Sequence, residues 1–244
     1  MHAGERAGLD AIRVVVPDLC PLPLGSGTFI SSPGTSFLLI EFLQLSTSSL
    51  PLFSGFLDSI LPRRGLAQKL AKLHTTPAPI PTGFDRPQFG FPVTTYCGDT
   101  PQDNSYKESW ADFFANNRLL AVLKHCEVSR GEDANFRAMV EAVASRVVPR
   151  LLDNRHLNNG SGIVPVVVHG DLWCGNAARE EIADGPTTDI IFDPSACFAH
   201  SEYELGIMKM FGGFGKAFLT EYHKRCPKTE PVDEYDDRVS LYEL

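Results

Sequence analysis

Apolar and polar positions along the chain alternate with two periods. In "GERAGLDAIR", Leu9 and Ile12 share one face and predict a short helix, whereas "TSFLLIEFL", Thr35 to Leu43, is a continuous apolar run of strand length broken by Glu41. The Pro- and Gly-rich stretch between them reads as turn material. From Pro62 to His74, Leu66, Leu70 and Leu73 recur at helical spacing, and the prolines of "TTPAPIPTGFDRPQFGF" then forbid regular structure. Two amphipathic helices follow, one with Trp110, Phe113, Phe114 and Leu120 on its apolar face, the other with Phe136, Val140, Val143, Val147 and Leu151. Next come two short strands, "VPVVVH" and "DIIF", and helical runs from Glu202 to Phe211 and from Phe214 to His223. The order predicts a little sheet, then mostly helix, with two strands buried inside the helical part.

Composition narrows the function. In 244 residues, 43% are apolar and 10% aromatic, enough for a packed core. The net charge of −8, with no basic cluster longer than a pair, argues against a nucleic-acid surface, which needs a basic stripe to displace counterions. Cys20, Cys97, Cys126, Cys174, Cys197 and Cys226 are scattered without a CxxC pair, which points away from zinc and from a disulfide framework and towards a reducing compartment. No apolar run approaches the length of a membrane span, and the first residues lack the order of a secretion signal; the expectation is a cytoplasmic protein.

The chemistry concentrates in "HGDLWCGN". His169, Asp171 and Asn176 follow directly on the strand "VPVVV", and Asp193 closes the strand "DIIF", which puts two carboxylates and an amide at the ends of what the pattern predicts to be adjacent strands. In phosphoryl transfer of the kinase type, one Asp orients and deprotonates the acceptor hydroxyl while an Asn and a second Asp hold magnesium on the nucleotide phosphates. His169 joins Asp171 in the candidate catalytic pair as a scaffold, tying the loop to the Asp193 turn. No GxSxG is present, so a nucleophile elbow is excluded, and "GSG" at Gly25 and "GGFGK" at Gly212 lack phosphate-loop spacing and read as turns. Glu41 is either an edge residue or a polar break suited to a hinge.

These residues, with "IFDPSACFAHSEYELGIMKMFGGF", "FGFPVTTYCGDTPQDN" and "SFLLIEFL", resemble the fructosamine kinase and ketosamine-3-kinase family from about Glu5 to the last residue. The resemblance implies an α+β, protein-kinase-like fold of two lobes, here a remnant of the nucleotide-binding lobe and hinge over 1–45 and a mainly helical C-terminal lobe over 46–244. It implies ATP- and Mg2+-dependent phosphorylation of the third-carbon hydroxyl of a ketoamine, on a glycated protein or a small molecule, and a role in protein deglycation. By the same resemblance Asp171 is the base, Asn176 and Asp193 are the metal ligands, Glu41, Phe42 and Leu43 meet the adenine, and Glu5 is the helix Glu that pairs with the ATP lysine. Trp173 and the Phe89 to Asn104 loop are candidates for ketoamine contact, with core packing the alternative for Trp173. The family's Gly-rich loop and ATP lysine precede the helix of Glu5, where this sequence begins, and "DDRVSLYEL" ends within a helical pattern that the family continues. The expectation is an intact catalytic half with a truncated nucleotide lobe; an inactive binding-only fragment and an aminoglycoside- or choline-type kinase are the alternatives.

Overall fold

A computed structural model describes residues 2–46, 63–181 and 187–244. Helix α1 (His2–Val15) carries Glu5 in its first turn and Arg13 in its last, each favourable to the helix dipole, and buries Leu9 and Ile12. It packs on an antiparallel hairpin of β1 (Pro23–Thr28) and β2 (Ser36–Ile40). The stretch expected as turn material thus holds β1, and β2 stops at Ile40, so Glu41, Phe42 and Leu43 lie beyond the strand. A Gly-rich strand such as "PLGSGT" shows no apolar alternation; it is specified by its partner, with Phe37 lying over Gly27.

Helix α2 (Arg64–Thr75) buries Leu66, Leu70 and Leu73 as the spacing predicts; Pro62 lies outside the described residues. Its first turn takes the carboxylate of Asp189, which accepts the Leu66 N–H at 3.0 Å, a favourable anion at a helix N-terminus. A hairpin of β3 (Tyr96–Cys97) and β4 (Thr100–Pro101) follows the proline-rich stretch. Helix α3 spans 110–130 and α4 spans 134–152, each with a π-helical middle, Phe113–Leu120 and Val143–Val147. In α4 the widened turn lies just before Pro149, whose ring and missing N–H disrupt the regular ladder.

Strand β5 (Val166–Val168) pairs with β8 (Cys197–Ala199), and β6 (Ala177–Glu180) pairs with β7 (Thr188–Ile191). The strands leading to Asp171 and Asp193 are therefore not hydrogen-bonded neighbours, contrary to the expectation of adjacent strands. Three further helices complete the chain: α5 (Ser201–Phe211), α6 (Lys216–His223) and α7 (Tyr235–Tyr242). Buried Arg238 holds α7 against α5 through Glu202, with Nε donating to Oε2 at 2.7 Å.

The core centres on Trp110, fully buried among the rings of Phe89, Phe113, Phe114 and Tyr242. Its Nε1–H donates to the Tyr242 hydroxyl at 2.7 Å. Trp110→Phe keeps an aromatic ring and removes that donor, so it is expected to cost about 1–3 kcal/mol. A urea titration checks this, with a lower midpoint and an unchanged slope. Among the described residues no helix is long and apolar enough to cross a membrane, and all six cysteines are free thiols.

Candidate active site

Buried strand β5 delivers the chain to His169 and Gly170. Gly170 has φ +80°, and a Cβ there would lie 2.2 Å from the Ser195 carbonyl oxygen, so only glycine allows the loop to lie this close to the Asp193 turn. His169 is fully buried. Its Nε2 lies 2.9 Å from the Phe192 carbonyl, which can only accept, so the proton sits on Nε2 and Nδ1 is left to accept the Asp171 N–H at 3.3 Å. Burial pushes the ring's pKa down, against the Glu204 charge and the Phe192 carbonyl, and favours this neutral form. His169 thus ties the two loops together through its ring nitrogens.

The loop then turns tightly. Trp173 N–H donates to the Asp171 carbonyl at 3.1 Å and Asn176 N–H to the Trp173 carbonyl at 3.0 Å, which swings Asn176 back towards Asp171. The Asn176 Nδ2 donates to the Asp171 carbonyl at 2.9 Å and to its Oδ2 at 3.2 Å. Phe192 N–H donates to the Asn176 carbonyl at 3.1 Å and brings Asp193 alongside. Asp193 is exposed and has φ +61°, a left-handed conformation that costs a non-glycine residue about 1–3 kcal/mol and that clusters at functional sites. His169, Asp171, Asn176 and Asp193 thus form one cluster through side-chain and backbone bonds. Asp171 is half-buried, and its pKa is pushed up to about 6 by burial first and then by the charges of Asp193 and Glu204, against the Asn176 amide.

Sequence reasoning missed Glu204. Fully buried on α5, it accepts the His169 N–H at 2.5 Å and the Gly170 N–H at 3.0 Å, and lies 3.7 Å from His74 Nε2. His74 Nδ1 is in turn 2.8 Å from the Tyr222 hydroxyl. Burial pushes the Glu204 carboxyl up, but His74, His169 and the backbone donor outweigh it and hold the carboxyl below its ordinary value. The available signal was its place in "HSEYEL".

The remaining candidates lie around this cluster. The Trp173 ring covers Gly175 and stands 5.7 Å from Phe211. Burial first, and then the charges of Asp171 and Asp193, push the Cys97 thiol up. Phe89 and Phe91, by contrast, are buried in the core, and Asn104 is engaged with Val93 and Thr95. Glu5 sits on α1, whose Gly4 and Gly8 allow close approach to Thr94 and to Pro194 and Ala196 just after Asp193. Its carboxylate is 3.6 Å from His2 Nδ1. The first lysine of the sequence is Lys69, which pairs with Asp18 at 3.0 Å rather than with Glu5. Phe42 is exposed and Leu43 half-exposed; the flanking residues are tied down, Glu41 N–H to the Leu22 carbonyl at 2.9 Å and Ser46 N–H to the Arg179 carbonyl at 2.8 Å. Glu41 to Leu43 therefore bridge the hairpin and β6.

Known structures share the fold. The chain superposes on a candidate fructosamine-3-kinase from Thermobifida fusca with a TM-score of 0.72 at 21% identity, over 99% of this chain and 70% of that one. A thermostable mutant of an aminoglycoside phosphotransferase gives 0.56 at 17% identity, over 98% and 73%. The fold is that of the protein-kinase-like phosphotransferases. In sequence, the chain is 34% identical to ketosamine-3-kinase of Mus musculus, over all of this chain and 75% of the relative. It is 30% identical to the chloroplastic protein-ribulosamine 3-kinase of Oryza sativa subsp. indica, over 99% of this chain and 61% of that protein. The sequence model of fructosamine kinase matches residues 1–244, and the chain belongs to the fructosamine kinase family.

Proposed function

We propose that this chain phosphorylates the third-carbon hydroxyl of ketoamines, ribulosamine or fructosamine, on glycated protein lysines or on small amines, with ATP as donor and Mg2+ as metal. The setting proposed is cytoplasmic, and because the phosphorylated adduct is labile the role is deglycation. The observation that carries this is Asp171: a half-buried carboxylate with a pKa of about 6 is poised to accept a hydroxyl proton near neutral pH. In this role its Oδ1 takes the proton as the hydroxyl oxygen attacks, while the Asn176 amide, donating to Oδ2, keeps the carboxylate oriented.

The donor set fits magnesium. Among the described residues no three His, Cys, Asp or Glu side chains form a cluster that could hold a metal, but Asn176 and Asp193 offer hard oxygens, and magnesium keeps waters and takes phosphate oxygens for the rest. Asn176 has its Nδ2 committed to Asp171, which leaves its Oδ1 as the ligand, and a cation would relieve the repulsion between Asp171 and Asp193. When bound, the ion would neutralise charge on the transferring phosphoryl group. Glu41 to Leu43 are proposed to meet the adenine, Glu5 to be the helix carboxylate that pairs with the lysine on the ATP phosphates, and Trp173 to contact the ketoamine. In this reading residues 1–45 are the remnant of the nucleotide-binding lobe and hinge, and 46–244 the helical lobe that carries the catalytic and metal-binding loops. The names of the mouse and rice relatives support a ketosamine or ribulosamine acceptor.

The test is the site of phosphorylation. With magnesium, ATP and ribulose-lysine, phosphorus–proton correlation spectroscopy should show the new phosphate coupled to the proton on carbon 3. Phosphate on any other hydroxyl, or turnover with aminoglycosides or choline alone, would contradict the assignment.

A further inference from the structure

The carboxylate that anchors the catalytic loop is itself held from behind. His74 lies in the last turn of α2, its side chain fully enclosed, with Glu204 of α5 on one side of the ring and Tyr222 of α6 on the other. The hydrogen bonds fix its protons. The Cys226 thiol donates to the His74 carbonyl at 3.9 Å, which leaves the sulfur to accept from the Tyr222 hydroxyl at 3.2 Å. With its hydrogen committed there, the hydroxyl oxygen accepts from His74 Nδ1, 2.8 Å away, so Nδ1 carries a proton. Nε2 is sealed from water, makes no hydrogen bond of ordinary length, and stands 3.7 Å from Glu204 Oε2. A carboxylate only accepts, so a bare Nε2 lone pair would repel it; the contact is attractive only with a proton on Nε2 as well. His74 and Glu204 are therefore an imidazolium and a carboxylate, a buried ion pair.

That pair bears on the chemistry through what else Glu204 holds. Oε2, the oxygen facing His74, also accepts the His169 N–H at 2.5 Å, and Oε1 accepts the Gly170 N–H at 3.0 Å, one residue before Asp171. Two backbone donors alone would let the carboxylate move with the loop. A cation behind it, on a helix docked by Leu66, Leu70 and Leu73, ties it to the core instead. We infer that His74 is a positioning residue for phosphoryl transfer: through Nε2 it fixes Glu204, and through Glu204 it fixes the height of the loop that presents Asp171. This rests on the ketoamine phosphorylation proposed above, in which Asp171 is the base, and adds to it a residue from a helix distant in sequence.

Two near-isosteric substitutions separate this role from packing. The amide nitrogen of His74→Gln falls where Nε2 stands and keeps a donor towards Glu204; that of His74→Asn falls where Nδ1 stands and keeps only the donor towards Tyr222. His74→Asn is expected to lower kcat about 10²-fold, the effect of displacing a catalytic group by about 1 Å, with KM for ribulose-lysine close to the parent's, while His74→Gln keeps most of kcat. The amide proton resonances of His169 and Gly170 report the same contact without turnover. Both should move upfield in His74→Asn as their bonds to Glu204 lengthen, and stay near their parental positions in His74→Gln. Tyr222→Phe removes the acceptor for Nδ1 and should move them in the same direction, which keeps the test open if His74→Asn does not fold. Equal losses in the Gln and Asn variants would make His74 a packing residue and overturn the inference. Parental resonances in His74→Asn, or in Tyr222→Phe where the Asn variant does not fold, overturn it too. If the parent chain shows no turnover, the resonances still decide the inference, and the missing turnover counts against ketoamine phosphorylation alone.

Discussion

Asp171→Asn should lower the rate of ketoamine phosphorylation by about 10²–10⁴-fold, the usual contribution of a positioned general base. The same substitution should raise the melting temperature near neutral pH, which separates loss of chemistry from loss of fold. The folded chain holds the Asp171 proton up to about pH 6, against the ordinary 3.8, because burial and the Asp193 and Glu204 charges disfavour the anion. A carboxyl raised on folding contributes stability that is fully present below its unfolded value and is lost as pH rises through the folded one. At about pH 7 to 8 the parent carries an ionised, crowded Asp171 and the Asn variant does not, so the variant melts higher; near pH 4 the two converge. The scans belong in magnesium-free buffer, since a bound cation favours the anion. A variant that melts lower than the parent at neutral pH would contradict the placement of Asp171 among these charges.

Glu204→Ala should cost about 3–5 kcal/mol, the penalty for breaking a buried charged interaction by removing one partner. It strips acceptors from the His169 and Gly170 N–H groups and leaves His74 without its carboxylate. The loop would then lose the contact that sets its height above α5, and misplacement of a catalytic group by about 1 Å costs roughly 10² in rate. Glu204→Gln keeps one acceptor oxygen and should fall between Ala and the parent in both stability and kcat. Because the Glu204 carboxyl is held below its ordinary 4.5, its ionisation contributes stability above that value and loses it as pH falls, so the gap between parent and Ala variant should narrow in acid. Urea titrations at two pH values together with kcat test this; an Ala variant with parental stability would refute the role of Glu204 as the loop's anchor.

The contrast between Asp171 and Glu204 shows what the chain makes legible. Asp171 and Asn176 lie five positions apart in one loop, so their spacing alone implies convergence, and Asp193 announces itself by ending an apolar run. Glu204 sits in a helix, where a lone carboxylate reads as a solvated position; its burial comes from His74, far away in sequence, and from the backbone of a loop 35 residues earlier. The helices were legible because Leu66, Leu70 and Leu73, or Trp110, Phe113 and Phe114, mark a buried face locally. The strands were harder. β3, β4 and β8 are two or three residues long, too short to show a period, and β1 is half glycine and proline by composition. Pairing is also non-local, which is why β5 meets β8 rather than the strand of Asp193. The left-handed Asp193 leaves no mark in the sequence, since an Asp at a strand end is ordinary turn chemistry.

The most direct test of the central claim is magnesium-dependent ADP formation by this 244-residue chain with ribulose-lysine and fructose-lysine, beside a no-acceptor control. Ketoamine-dependent turnover that disappears in Asp171→Asn and in Asp193→Ala is the predicted result. Folded protein, shown by circular dichroism, that forms no ADP with either ketoamine, or that turns over equally well in both variants, would contradict it.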